Sequence, residues 1–322
     1  MKSSTMARVE AAIVSLGFRP NHAARVLKGQ RTRTIGIIVP SIADPFFAAF
    51  ASAAQQVARS RGYVATLGAC DSDRQTEETQ VEELARHRVD GLLICVSFPG
   101  NRKLLDLLKA LRIPVVAFDR PIPPGKFPRV LVDNRKAARE AVGHLIGHGH
   151  RQVACFRSAR SLFTTRQRVG GYRDAIRKYG YSEMISEDGL SQEAVNHSLV
   201  KMMASNTPPT AIFSTKNQVT IFLLKALRTL GYSVPRDIAL IGFDDFDSAV
   251  LITPSVTVVR QPIMEIGRRA SLALFEQIER PSAHKNAHIV IDADLIIRES
   301  CGCKPKAAKT PPERGSDGTS VF

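Results

Sequence analysis

The sequence predicts an α/β protein built from two lobes, each a doubly wound parallel sheet covered by helices on both faces. Two observations carry this prediction. Short apolar runs rich in Val, Ile and Leu recur along most of the chain, and stretches of helical periodicity separate most of them. Such runs, when they alternate with helices, are typical of parallel sheets. They are too many for one compact sheet, and 322 residues allow two domains.

The elements follow from these patterns in chain order. Residues 5–16 repeat apolar side chains at helical spacing, and residues 20–28 predict a second short helix between Pro20 and Gly29. A polar, basic linker over residues 30–34 precedes the first strand. Strands are predicted at Ile35–Val39, Val64–Leu67, Gly91–Val96, Val115–Phe118, Val153–Phe156, Ala211–Phe213 and Ile238–Ile241, with helices that include Ala48–Arg61, Thr76–Arg86 and Leu104–Leu111. The Pro-, Gly- and charge-rich segment 304–322 is expected to be disordered.

The distribution of charge and of apolar residues indicates which partner and which cellular compartment to expect. The net charge is +15, and residues 1–33 hold seven Lys and Arg against one Glu, a local charge of +6. A basic end favours a polyanion such as DNA as its partner, although a basic soluble surface would look the same. No apolar run reaches the length of a membrane span, and charged residues interrupt the N-terminus where a secretory signal would be apolar. A cytoplasmic protein without a membrane partner is therefore expected.

The motifs of common α/β enzymes are missing from the sequence. It has no G-x-G-x-x-G after a predicted strand, no phosphate-binding P-loop and no G-x-S-x-G nucleophile elbow. We therefore expect no enzyme activity, no catalytic residues and no cofactor.

Two small clusters could suggest a metal. His144 and His148 are four residues apart, so a helix would place them on one face, but no carboxylate accompanies them. Cys301 and Cys303 form a C-x-C pair, and no second pair exists. The interpretation favoured here is a helix end with partly exposed histidines and two free thiols, without a metal.

A recognisable pattern begins at RPNHAARVLKGQRTRTIGIIVPSIADPFF, which resembles the hinge and first strand of LacI/GalR repressors. The resemblance covers about residues 5–300, and it rests on the order and spacing of several landmarks, each of which is weak alone. These landmarks are PVVAFDR (114–120), VDN (132–134), HLIGHGHRQVA (144–154), RQRVGGYRDA (166–175), TAIFSTKNQ (210–218), VPRDIALIGFDD (234–245) and TPSVTVVRQPIMEIGRRA (253–270).

The resemblance implies a ligand-responsive repressor that works as a homodimer. Its core, residues 34–303, would resemble periplasmic sugar-binding proteins. Lobe 1 would span about 34–132 plus 262–292, and lobe 2 about 133–261 plus 293–303. The effector, a sugar or sugar acid, would sit between the lobes at the carboxyl ends of the strands. A sugar-binding protein without specific DNA binding is the alternative function.

The family's effector contacts carry over position by position to Phe46, Phe47, Asp119, Asp133, Arg166, Arg168, Asn217 and Asp244. For Phe47, core packing is an equal alternative, and Arg166 is the weaker of the two arginines. Asp245 is expected to shape its turn. Arg168 is expected to be a surface residue of the site, so that Arg168→Ala would remove effector binding and leave the fold intact.

The sequence departs from the family at Gln218, where an acidic residue usually follows the Asn. Because Gln218 is neutral, Arg166 and Arg168 would have one carboxylate fewer near them than the corresponding arginines of the family. This departure favours a more acidic effector, such as a sugar acid or a phosphosugar.

By the same resemblance, residues 1–33 are the remnant of a DNA-binding head with its hinge helix. The hinge positions that would meet the minor groove or phosphates are Asn21, Ala24, Arg25, Leu27 and Lys28. About thirty residues of the helix-turn-helix that reads the major groove are missing. The chain is therefore expected to bind an operator weakly or not at all. Three explanations remain open. Met1 is an internal methionine of a longer protein, or the gene is truncated, or the protein acts as a sensor without a DNA-binding head.

Overall fold

A computed structural model describes Ser15 and residues 31–71, 73–98, 100–123, 127–187, 189–280 and 288–303. The predicted hinge residues and the segment 304–322 lie outside the described residues, as does the predicted helix 5–16 apart from Ser15. In the described part, the strands form two six-stranded sheets. The predicted α/β class with two parallel sheets is confirmed.

The first sheet has the strand order β11-β5-β4-β3-β1-β2, and all neighbours in it run parallel. Its strands are β1 (Thr34–Val39), β2 (Val64–Ala69), β3 (Gly91–Ile94), β4 (Val115–Phe118), β5 (Arg129–Val132) and β11 (His288–Ile291). Four helices accompany these strands in sequence: α1 (Pro45–Ser60), α2 (Arg74–Arg86), α3 (Arg102–Ala110) and α8 (Ile263–Glu279).

The second sheet has the order β12-β10-β9-β8-β6-β7, and only β12 runs antiparallel to its neighbour. Its strands are β6 (Val153–Phe156), β7 (Met184–Ile185), β8 (Ala211–Ser214), β9 (Ala239–Phe243), β10 (Thr257–Arg260) and β12 (Asp294–Ile296). Its helices are α4 (Asn134–Gly147), α5 (Phe163–Lys178), α6 (Gln192–Met203) and α7 (Asn217–Thr229), with a short 3-10 turn at Asp247–Val250.

The chain divides into two compact units, one around each sheet. Unit 1 takes the residues up to Asp133, Leu162–Thr164 and Pro262–Ile291. Unit 2 takes Asn134–Ser161, Thr165–Gln261 and the residues from Asp292 onward. In each sheet the strand order reverses once, beside β1 in unit 1 and beside β6 in unit 2. Loops part at such a switch point and leave space for a ligand at the carboxyl ends of the strands.

Local sequence explains why α1 starts where it does. The Asp44 side chain accepts a hydrogen bond from the backbone N–H of Phe46 at 3.1 Å, and Pro45 occupies the first helical position. The strand that precedes it, β1, is buried from Ile35 to Val39, as expected for a central strand covered on both faces. In the described part of the chain, no helix has the length and apolar character needed to cross a membrane.

Five strands escaped the sequence prediction, and most of them are short or lie at a sheet edge. They are β5, β7, β10, β11 and β12. The edge strand β11 alternates exposed and half-buried residues, so it lacks the continuous apolar run that marks a central strand. The prediction for residues 91–96 was too long, because β3 ends at Ile94. Cys95 and Val96 are buried in the loop beyond it.

The packing of α5 against α4 in unit 2 depends on a glycine. A Cβ atom on Gly171 would lie 2.1 Å from the Arg135 carbonyl oxygen and 2.8 Å from the Arg139 backbone nitrogen. Backbone atoms cannot give way as a flexible side chain can. At Gly170, one residue earlier, the nearest atoms belong to the Arg135 side chain at 3.6–3.7 Å, which is ordinary van der Waals contact.

We therefore expect Gly171→Ala to lower the free energy of unfolding by at least about 2 kcal/mol, because overpacked sites cost this much or more. Gly170→Ala is the matched control and should be neutral or stabilising by up to about 1 kcal/mol, since alanine favours a helix over glycine. Urea unfolding followed by circular dichroism measures both variants. Equal stability of the two would contradict close packing of α4 on α5.

Candidate functional site

In unit 2 the guanidinium of Arg168 is the centre of a polar cluster where the strands end. Arg168 lies on α5 and is only 4% exposed. Its Nε donates to the Asn134 side-chain oxygen at 2.8 Å. Its Nη1 donates to the Thr215 carbonyl oxygen at 2.8 Å and to Asp244 Oδ2 at 3.0 Å. These partners come from the start of α4 and from the loops after β8 and β9, so one side chain ties three segments together.

Asp244 is placed by unusual backbone geometry. It follows β9 with a φ of 71°, a left-handed conformation that Asp tolerates better than most residues. The preceding residue, Phe243, lies under the Arg168 guanidinium with its ring centre 3.7 Å from Cζ. A cation over an aromatic face is favourable. The ring and the carboxylate therefore hold the guanidinium in one orientation.

Gln261 completes the cluster and was not among the predicted site residues. Its Nε2 donates to Asp244 Oδ1 at 2.5 Å. The residue is 5% exposed, and its Oε1 is buried with no hydrogen-bond partner among the described residues. A buried acceptor without a partner is costly, so a ligand hydroxyl at this atom would be favourable. The only sequence signal was its place in the landmark TPSVTVVRQP, directly after an unpredicted strand.

Two other predicted site residues of unit 2, Asn217 and Arg166, make their hydrogen bonds outside this cluster. Asn217 is the first residue of α7, half-buried, and its side-chain oxygen accepts from the Gln218 N–H at 2.7 Å. Arg166 is exposed and donates to the Ser161 carbonyl oxygen. Asp245 shapes its turn as predicted, since its Oδ1 accepts from the Phe246 N–H at 3.0 Å.

Asp245 also binds two arginines. Arg260 Nη2 and Arg298 Nη2 each lie 2.7 Å from its Oδ2. Burial alone would raise the pKa of this carboxyl, but the hydrogen bonds from Arg298 and Arg260 outweigh it and lower the pKa. Asp245 is therefore a charged anchor between β10 and the segment after β12.

Unit 1 carries a second buried polar cluster, around Asp119 and Arg120. Asp119 follows β4, is 6% exposed and has a φ of 60°. Its Oδ2 lies 3.2 Å from Arg120 Nε, and Arg120 Nη1 donates to the Val96 carbonyl oxygen at 3.1 Å. Nearby, the Glu77 carboxylate accepts from the Ser97 N–H at 2.6 Å. Burial raises the pKa of Glu77. The sequence prediction found Asp119 but missed Arg120 and Glu77.

The remaining predicted residues of unit 1 differ in their surroundings. Phe46 and Phe47 are both buried and meet edge to face at 5.1 Å, and Phe47 also meets Phe118 at 6.5 Å. Core packing, the alternative left open for Phe47, is therefore part of its role. Asp133 is half-buried, and its N–H donates to the Ile291 carbonyl oxygen at 3.0 Å.

The expectation that Arg168 is a surface residue was wrong. Its guanidinium is buried and bound to three partners, because the loops after β8 and β9 and the start of α4 converge on it. Loss of this side chain would leave the half-buried Asp244 without its ion-pair partner. Arg168 therefore has a structural role as well as any role in binding.

Two parallel α/β units, with polar side chains gathered where the strands end, define a fold of the periplasmic-binding-protein type. The sequence identifies the family further. Residues 32–299 match the family described as "Periplasmic binding proteins and sugar binding domain of LacI family". The chain belongs to this family, which confirms the predicted resemblance.

Similar proteins and solved structures support the same family assignment. The HTH-type transcriptional repressor CytR of Escherichia coli (strain K12) is 30% identical over 308 residues, which are 95% of this chain and 90% of CytR. A periplasmic binding protein/LacI transcriptional regulator of Alkaliphilus metalliredigens QYMF, complexed with D-xylulofuranose, is 27% identical with a TM-score of 0.74, over 83% of this chain and 98% of that one. The transcriptional regulator CelR, in complex with cellobiose, is 26% identical with a TM-score of 0.75, over 93% and 91%. The relatives are regulators, in agreement with the expectation that this chain is not an enzyme.

We expect Arg168→Ala to lower the free energy of unfolding by about 1.5–3 kcal/mol, because the hydrogen bonds of a charged group contribute about this much and its partner Asp244 is only half-buried. Arg166→Ala, two residues earlier on the same helix and exposed, should change it by no more than about 0.5 kcal/mol. Denaturant unfolding of both variants measures the difference. Arg168→Ala as stable as the parent would show that the guanidinium does not hold the loops together.

Proposed function

We propose that this protein is a ligand-responsive transcriptional repressor whose effector is a sugar or a sugar acid. The observation that carries the proposal is the cluster of Arg168, Asp244 and Gln261 at the carboxyl ends of the second sheet. Sugars present many hydroxyl groups, each a donor and an acceptor. A fixed guanidinium, a carboxylate and an amide oxygen that has no hydrogen-bond partner among the described residues match such groups better than an apolar ligand does.

The family supports the same ligand class. The regulator of Alkaliphilus metalliredigens QYMF was solved with D-xylulofuranose and CelR with cellobiose, and both are similar to this chain over most of its length. Gln218 favours an acidic effector, because it places an amide where a carboxylate is usual in the family. We therefore propose a sugar acid or phosphosugar ahead of a neutral sugar.

The remaining predicted contacts belong to the same proposal. In unit 2 they are Arg166 and Asn217. In unit 1 they are Phe46, Phe47, Asp119 and Asp133. Arg120 joins them, since its charge is held beside Asp119 at the end of β4. A guanidinium fixed by a carboxylate and a carbonyl loses little freedom when it binds a ligand.

The DNA partner is part of the proposal as well. CytR, 30% identical over nearly the whole chain, is a transcriptional repressor, and residues 1–33 carry a charge of +6 from seven basic residues and one acid. We propose that Asn21, Ala24, Arg25, Leu27 and Lys28 contact DNA, and that the protein acts in the cytoplasm, where its operator is.

Ligand binding can be tested by melting the protein with paired compounds, for example D-ribose against D-ribonate and their phosphorylated forms. A true effector at 100 times its Kd should stabilise the chain by about 2.7 kcal/mol and raise its melting temperature by several degrees. Gln261→Leu should weaken that effector about tenfold, because a hydroxyl loses its buried acceptor. A neutral sugar that binds more tightly than its acid would contradict the preference inferred from Gln218.

Fluorescence anisotropy with DNA from the gene's own promoter then separates repressor from sugar-binding protein. For a repressor, the effector found by melting changes the affinity for promoter DNA and not for scrambled DNA of equal length. Because residues 1–322 are expected to bind an operator only weakly, the assay is run at low salt, where phosphate contacts are strongest. A bound effector that leaves a measurable promoter affinity unchanged would support the alternative, a sugar-binding protein without specific DNA binding. No stabilisation by any carbohydrate would contradict the proposal itself.

We further propose a homodimer, because two hinge helices must meet at one minor groove and a two-fold pair is the natural solution. Sedimentation velocity at micromolar concentration should show a species of twice the chain mass of 35.3 kDa. A monomer across the whole concentration range would contradict the proposed dimer. It would not contradict the proposed effector site, whose residues all belong to one chain.

A further inference from the structure

A cluster of three potential metal ligands lies in unit 2, and the proposed function does not use it. His144 is in the last turn of α4, His148 follows the end of that helix, and Cys303 is the last described residue of the chain. The Cys303 sulfur is 3.4 Å from His144 Nε2 and 3.1 Å from His148 Nε2. Among the described residues, this is the only group of three whose ligand atoms come so close, all within 4.8 Å of one another.

These distances suit one tetrahedral zinc ion. Zn–S bonds of about 2.3 Å and Zn–N bonds of about 2.05 Å place a thiolate sulfur about 3.5 Å from each imidazole nitrogen. The two sulfur–nitrogen separations are within 0.5 Å of that value. The two ring nitrogens, which lie within 4.8 Å of each other, would come to about 3.3 Å apart around the ion by rotation of the side chains. Both rings present the same nitrogen, Nε2, to the sulfur. The rings lie 4.6 Å apart, as expected for positions one helical turn apart.

The fold selects these three side chains from a richer set. His150, two residues further on, is turned to Thr210, with 3.0 Å between its Nδ1 and the hydroxyl oxygen. Cys301 is fully buried, and its sulfur accepts from the Thr257 hydroxyl at 3.2 Å. Of the histidines and cysteines in HLIGHGH and C-x-C, only His144, His148 and Cys303 converge.

The chemistry of the donors indicates the ion. A thiolate with two imidazoles favours zinc-like ions over magnesium or calcium, which prefer oxygen. Three protein ligands leave the fourth position to water or to another small ligand.

We propose that His144, His148 and Cys303 bind one Zn²⁺ ion per chain. The ion forms bonds to two Nε2 atoms and to the Cys303 sulfur, and the thiol proton is released to solvent as the Zn–S bond forms. The metal ties the segment that follows β12 to the end of α4. It therefore fixes the end of the described chain to unit 2, away from the Arg168 cluster.

Cobalt is the spectroscopic probe for this site. The full-length chain, purified reduced and without a histidine tag, is titrated with Co²⁺. We expect one equivalent to produce a thiolate-to-cobalt charge-transfer band and the visible bands of tetrahedral Co²⁺, and Zn²⁺ to remove both by displacement. Cys303→Ser should abolish the charge-transfer band, and His148→Ala should weaken binding more than about 100-fold, since loss of an outer-shell partner alone costs up to about that much.

His150→Gln is the matched control for the histidines, because the His150 ring is turned to Thr210. This variant should bind Co²⁺ like the parent chain. Circular dichroism confirms that each variant is folded before titration. The proposal is overturned if the parent shows no charge-transfer band, if Cys303→Ser retains it, or if His150→Gln weakens binding as much as His148→Ala does.

Discussion

The second sheet depends on the buried guanidinium of Arg168. A charged group at 4% exposure is tolerable only when hydrogen bonds and an opposite charge replace its water. Asn134, Thr215 and Asp244 supply them from three separate segments. Because each partner must stay in place, the start of α4 and the loops after β8 and β9 are fixed relative to one another. Gln261 is held in turn through Asp244.

Unit 1 also contains a buried arginine that is held by a carboxylate and a carbonyl oxygen. Arg120, 9% exposed, is held by Asp119 and by the Val96 carbonyl oxygen, again where strands end. Burial also raises the pKa of Glu77 and of the Cys95 thiol in this region. Polar groups fixed in advance at strand ends lose little freedom when a ligand arrives. The same interactions therefore stabilise the loops and, in the proposed function, prepare them for binding.

Much of the fold could be predicted from local sequence. Continuous apolar runs marked the central strands β1, β4 and β6, whereas α1 begins at Pro45, three residues before its predicted start. The edge strand β11 was missed because a strand of alternating exposure is recognisable only beside its neighbour β5. The antiparallel pairing of β12 with β10 likewise depends on residues distant in the chain.

For the site, the sequence by itself pointed to Asp119 and Asp244, which follow strands, and the family resemblance added Arg168 on α5. Only the tertiary structure decided that Arg168 is buried and that Gln261 joins it, because burial depends on loops that converge from distant parts of the chain. The same reason applies to the histidines. The spacing of His144 and His148 is local and visible, but Cys303 lies 155 residues beyond His148. No local pattern connects them, and only the packing of the chain end against α4 brings the three together.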